Sequence, residues 1–279
     1  MKKLVKLLKE KRIICSLVLA LLVLYSPMSI VVQASESYSN TLCAYKNLLS
    51  AQEIAVYNQV YSAILDYNSS LFRLEEPLLE SDLEDTMNAL FNDHPELFWV
   101  NTAYKYAVDS NNVVHKIQLN FGISESDFTN VQASYENAVK TIVSEAAAYS
   151  SAVDREKYIY DKICSMNTYN ECSAMNQSAY SALTSGSSVC AGYARAFQIA
   201  CLQSGIPCYY VTGTSRGQNH AWNIVQIDGK YYNVDLTWDD CLSETLGYNS
   251  YYYFNKNDLE FSLDHSRSAL SSQLVSCVD

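Results

Sequence analysis

Apolar and polar residues follow several different patterns along this chain, and each pattern predicts a different kind of segment. Six cations (Lys2, Lys3, Lys6, Lys9, Lys11 and Arg12) precede an apolar run over residues 13–24, followed by Ser26, Pro27 and Val32-Gln33-Ala34. Charged head, short apolar stretch and small residue are the order of a secretory leader, with cleavage expected after Ala34. A spanning helix needs ~20 apolar residues, which this interrupted run does not supply. Residues 1–34 are therefore expected to be a signal peptide. The remainder is expected outside the cell or at its surface, with no stable membrane insertion after cleavage.

Helical periodicity then appears over residues 51–67 and 82–91, each stretch opening on Ser-x-x-Glu: Ser50 with Glu53 and Ser81 with Glu84. That spacing lets a hydroxyl and a carboxylate satisfy the orphan amides of a first turn. Residues 97–108 and 113–121 flank Asp109-Ser110-Asn111-Asn112 and read as a hairpin. An alanine-rich helical pattern over 127–149 breaks at Ser150-Ser151, and a further helix is expected over 154–166. The break marks the expected boundary between a smaller α+β N-terminal domain (35–150) and a second domain (151–279).

The second half has a different texture. Residues 167–188 are polar and loop-like. Val189 to Leu202 is an almost wholly apolar helical stretch that must be buried. Gly205 and Pro207 stop it. Strands are expected over 208–211, 220–227 and 230–236. Tyr251-Tyr252-Tyr253-Phe254 reads as another, with alternate rings facing core and solvent.

Composition narrows the function classes. With 279 residues, 49% hydrophobic and 18% charged, the chain is long and apolar enough to bury a core. Its net charge is −11 and its one cationic cluster lies in the leader, so nucleic acid is an unsuitable partner. Eight cysteines follow the leader (Cys43, Cys164, Cys172, Cys190, Cys201, Cys208, Cys241 and Cys277) with no CxxC pair at zinc spacing; export permits disulfides, and the pairing stays open. No metal and no cofactor are expected: Asp235, Asp239 and Asp240 lack oxygen ligands at regular loop offsets, and His94, His115 and His265 read as surface residues. Arg195, on the same helix face as Gln198, reads as a buried charge tied to a carboxylate.

The candidate chemistry gathers around that buried helix. Ser188 is a plausible N-cap, which puts Cys190 in the first turn, where unpaired amides and the helix dipole favour thiolate. Asp228-Gly229 is a strong hairpin turn signal. If it forms the turn, Ile227 faces Lys230, Trp222 faces Asp235, and His220 faces Thr237 and lies diagonal to Asp235 at ~7 Å on the same face. A slip of one residue would separate His220 from Asp235. In this arrangement His220 draws the proton from Cys190 and returns one to the leaving amine, Asp235 orients the imidazole, and the Cys190 amide faces a developing oxyanion. Tyr169, Gln177 and Tyr180 are unranked candidates for a second oxyanion donor. Trp222 and Trp238 flank the pair and shield it, and Trp222, Tyr180 and Gln177 are the candidate substrate contacts.

The runs SVCAGYARAF, GIPCYYVTG and NHAWNIVQIDGKYYNVDLTWDD resemble the transglutaminase-like core of secreted bacterial proteins, in the order Cys, His, Asp, over about residues 154–260. HPELFWV near residue 97 resembles the leader domain of such proteins. The resemblance implies a papain-like α+β core with the nucleophile helix packed on an antiparallel sheet. It also implies Cys190 as nucleophile, His220 as general base and acid, and Asp235 as orienting carboxylate. The expected function is a cysteine protease or amidase that cleaves a protein, peptide or cell-wall peptide through an acyl-enzyme, with hydrolysis favoured. Protein-glutamine transamidation, or a non-catalytic surface interaction module retaining the fold, is the alternative.

Overall fold

The computed structural model describes residues 43–278, so the expected leader lies outside the described residues. α1 (Ala51–Leu65) begins with the expected box: the Ser50 hydroxyl accepts the Glu53 amide and the Glu53 carboxylate accepts the Ser50 amide. The strand that follows, β1 (Phe72–Leu79), has no counterpart in the apolar pattern, because FRLEEPLL carries three charges and a proline. It works as an edge strand: Leu74 and Leu78 reach the core, and the register shifts between Arg73 and Leu78, where Pro77 sits outside the regular ladder. β1 runs straight into α2 (Glu80–Asp93), so Leu79 is the N-cap and the second expected box does not form. β2 (Lys105–Val108) and β3 (Val113–Gln118) are the expected hairpin, shorter at its outer ends, and complete an antiparallel sheet in the order β1-β3-β2. α3 (Glu125–Ala146) and α4 (Ala152–Met166) follow, capped by the Ser124 and Ser151 hydroxyls.

Beyond residue 166, β4 (Thr168–Tyr169) and β5 (Ser187–Ser188) form a short parallel pair that pins the two ends of the polar loop between them. α5 (Cys190–Gln203) is the buried helix, with every residue from Ala191 to Leu202 inside. It packs on β6 (Cys208–Ser215) and β7 (Gln218–Ile227), which continue through β8 (Lys230–Val234) into α6 (Leu236–Leu246), α7 (Asp258–Phe261) and β9 (His265–Arg267). The sheet is antiparallel in the order β8-β7-β6-β9. The result is an α+β protein with its most apolar helix laid on an antiparallel sheet.

Residues 44–278 cluster as one compact unit, and hydrogen bonds link its early and late segments. The Tyr45 hydroxyl donates to the Tyr210 carbonyl at 2.6 Å, and Gln198 Nε2 donates to the Asn92 carbonyl at 2.9 Å. The expected strand at 251–254 is a loop instead. Asp239, buried at the start of α6, takes up the Tyr252 and Tyr253 amides at 2.9 Å each, together with the Ser250 and Tyr160 hydroxyls. Those amides are unavailable to a sheet, and Asp239 is a structural acceptor.

Candidate active site

The N-terminus of α5 differs from the expected cap. Val189 occupies the N-cap with extended backbone and no side-chain bond. The Ser188 hydroxyl turns away to the Asn176 carbonyl (2.6 Å) and the Ser181 hydroxyl (2.8 Å), tying the polar loop beneath the helix. Gly192 permits this approach, since a Cβ there would sit 1.8 Å from Ser188 Oγ and 2.7 Å from the Asn176 carbonyl oxygen. Cys190 thus stands at the first helical position with no side chain capping the turn, half-buried against Tyr210, Ala194 and Ala221. The helix dipole at that end favours negative charge.

The hairpin register is the one expected from Asp228-Gly229, with Ile227 opposite Lys230 and each pair following in step to Asn223 opposite Val234. There the ladder ends, because the chain leaves the sheet to start α6. Asp235 is therefore not a strand partner of Trp222, and Thr237 does not face His220; Asp235 is the N-cap of α6. Its Oδ1 accepts the Trp238 amide at 3.1 Å, which turns Oδ2 toward His220 Nε2 at 2.6 Å. An ionised carboxylate only accepts, so Nε2 carries the proton and Nδ1 is left for the Cys190 thiol, which lies close enough to His220 to raise the pKa of the ring.

Electrostatics fit a shared proton. Burial of His220 disfavours its charge, but the Asp235 carboxylate and the Cys190 thiol overcome that and raise its pKa to about 10. Burial pushes Asp235 up, and the imidazoles of His220 and His265 outweigh it, holding the carboxyl well below the usual range.

His265 is the residue that the sequence pattern misplaced. Its side chain is 1% exposed, with Nε2 3.0 Å from Asp235 Oδ2 and Nδ1 2.7 Å from Asp264 Oδ1. Both ring nitrogens face carboxylate oxygens, which holds the ring between Asp235 and Asp264. β9 can lie this close to β6 because Gly213 has no side chain: a Cβ would come 2.1 Å from the Ser266 carbonyl oxygen. A three-residue edge strand in a polar tail carries no periodic signal, and its partner carboxylate lies 30 positions away. His94 is buried as well, against Glu96 at 2.6 Å and stacked on Tyr61, whereas His115 is partly exposed at the surface beside Asp109.

The remaining expected contacts separate. Trp222 is 1% exposed and packs against His220 and His265, with Nε1 donating to Asn233; this placement gives it a packing face and no substrate face. Trp238 covers the other side of His220 and carries the Arg216 guanidinium 4.2 Å above its ring. Tyr180 is half-buried and stacked on Phe98. Gln177 is exposed and lines a cavity of about 320 Å³ together with Arg195. Tyr169, on β4 next to Ser188 of β5, lies close enough to Cys190 to interact electrostatically with it. Arg195 has no carboxylate partner among the described residues, contrary to expectation. The eight described cysteines are all free. The ligand atoms of His220, Asp235 and His265 lie within 4.8 Å of one another, a spacing one metal ion could bridge. Their contacts at 2.6 and 3.0 Å, next to a thiol, are hydrogen-bond geometry suited to proton transfer.

Residues 137–236 match the family model of the transglutaminase-like superfamily. Human Kyphoscoliosis peptidase is 32% identical over 104 residues, as is the mouse protein; the match covers 31% of this chain and 16% of those relatives. Among solved structures, a TGase is similar at 16% identity and a TM-score of 0.36, over 57% of this chain and 48% of that one. The periplasmic domain of TgpA from Pseudomonas aeruginosa is similar at 14% identity and a TM-score of 0.34, over 47% of this chain and 56% of that one.

Proposed function

We propose, proceeding from a chain that carries a transglutaminase-like superfamily domain over residues 137–236, that it is an exported thiol enzyme cleaving amide bonds by acyl transfer. Cys190 Sγ attacks the substrate carbonyl carbon, forming an S–C bond and a tetrahedral oxyanion that the Cys190 amide faces. Collapse breaks the C–N bond, and the amine leaves with the proton held by His220. Water then attacks the thioester, gives its proton to His220, and releases the acid and the thiol. Asp235 keeps Nε2 protonated, so that Nδ1 serves the sulfur throughout. His265 is a positioning residue acting through Asp235. The substrate class is a protein, peptide or cell-wall peptide, and export rests on the leader pattern of residues 1–34.

The observation that carries this reading is the 2.6 Å contact between His220 and Asp235 on a ring whose pKa the neighbouring Cys190 thiol also raises. Iodoacetamide labelling followed by mass spectrometry tests it, with the exposed Cys172 as internal control. Cys190 should alkylate much faster than Cys172 near neutral pH, and Cys190→Ala should lose turnover of a fluorogenic peptide-amide library. Equal labelling rates, or activity retained in Cys190→Ala, would overturn the proposal. Incorporation of a dansylated amine into casein separates transamidation from hydrolysis.

A further inference from the structure

Arg195 lies on α5 five residues after Cys190, on the order of 7 Å further along the helix axis. It is 8% exposed, yet its partners are electrically neutral. One guanidinium nitrogen donates to the Gln177 carbonyl at 2.7 Å, and the group sits 4.3 Å over the Tyr210 ring. No carboxylate lies within ion-pair distance among the described residues. A buried cation without an anion leaves much of its desolvation cost uncompensated, which is why such groups occur almost only in pairs.

The uncompensated side of Arg195 is not packed over. It lines the cavity of about 320 Å³, with Phe98, Asn101, Thr102, Asn176 and Gln177 around it. Aromatic surface from Phe91 and Phe98 is therefore combined with amide and hydroxyl groups that can donate to an anion, beside a forked cation suited to a carboxylate. The loop that walls the cavity is held at the helix start by Gly192 and by Ser188, so the cavity and the nucleophile share their support. Tyr210 connects them directly, carrying the guanidinium on its ring and packing against Cys190 within one cluster.

We propose that this cavity binds a carboxylate of the substrate, with Arg195 as the anion-recognising residue one aromatic ring away from the nucleophile. The role as a specificity site rests on the acyl-transfer reading above, but binding does not. The carboxylate comes from an acidic side chain or from a chain terminus, and both present the same fork-to-fork geometry to Arg195.

The test uses the full chain carrying Cys190→Ala, so that its result is independent of catalysis. Four probes are titrated while the arginine Nε–H resonances are followed by NMR: N-acetyl-glutamate amide against N-acetyl-glutamine amide, and N-acetyl-alanine free acid against its amide. Arg195→Lys identifies the Arg195 resonance. Saturable binding of at least one acid, roughly tenfold or more tighter than its amide, is expected, and so is loss of that preference in Arg195→Gln. The first pair reports a side-chain site and the second a terminal one. Equal binding of acid and amide in both pairs, no saturable binding, or an unaltered preference in Arg195→Gln overturns the proposal. If Arg195→Gln does not fold, the acid-against-amide comparison on the Cys190→Ala chain decides alone. Failure here with fast Cys190 labelling removes the anion site and leaves the thiol enzyme standing.

Discussion

Asp235 at the start of α6 and Arg195 on α5 are both buried charges, and the protein treats them in opposite ways. Around Asp235, two imidazoles and a backbone amide saturate the carboxylate, leaving no opening to solvent. Around Arg195 there are a carbonyl, an aromatic ring and an open cavity. Desolvation is costly in both places. Where internal partners offset it, the charge is locked and can orient a neighbouring ring; where they do not, the remaining field is directed at whatever enters. One region is built to hold a proton in place and the other to receive an anion.

The strongest blow to this contrast is Asp235→Asn, which removes the compensated charge while keeping its shape. Loss of kcat/KM by roughly 10³- to 10⁴-fold is expected, the scale of a triad whose histidine is wrongly oriented. The pH profile adds a sign. In the intact protein the raised His220 pKa keeps the imidazolium up to about 10, so activity falls as pH rises through that value. Without the carboxylate, burial dominates and the alkaline limb moves toward neutrality. A limb that stays put would mean that Asp235 does not set the charge on His220.

A third buried charge sharpens the comparison. Glu156 on α4 is 0% exposed, receives a single hydrogen bond from Asn255, and has no cation within ion-pair distance among the described residues. Burial raises its pKa to about 8, so this charge is avoided by protonation. Because the folded pKa lies above the ordinary carboxyl value of 4.5, stability is lost as pH rises from there through about 8. Glu156→Gln should leave stability near pH 4 unchanged and raise it by roughly 2–4 kcal/mol near pH 9 in chemical denaturation. Equal effects at both pH values would show that Glu156 is charged when folded.

The smallest expected effect belongs to His265. His265→Phe keeps a ring packed against Phe261 and removes both nitrogens. A drop of about tenfold in kcat/KM is expected, typical of outer partners that orient a reacting group. The alkaline limb should move up, opposite to Asp235→Asn, because Asp235 then acts on His220 alone. His265→Gln, which restores one donor, should recover part of the rate. A rate loss with no movement of the limb would reduce His265 to a packing residue.

Local chemistry carried much of this protein. The Asp228-Gly229 turn, with positive φ at both residues, sets the β7–β8 register, and Gly205 and Pro207 stop the buried helix that begins at Cys190. These are short-range effects, readable from neighbours a few positions apart. What was not readable depended on groups brought together from far along the chain. Asp235 meets His220 because a strand gives way to a helix cap, and His265 arrives on a three-residue edge strand admitted by Gly213. Tyr252 and Tyr253 lose their strand because a carboxylate of α6 claims their amides. The absence of an anion beside Arg195 is likewise a property of packing: residue type says that a buried guanidinium needs compensation, and only the folded neighbourhood says whether it has it.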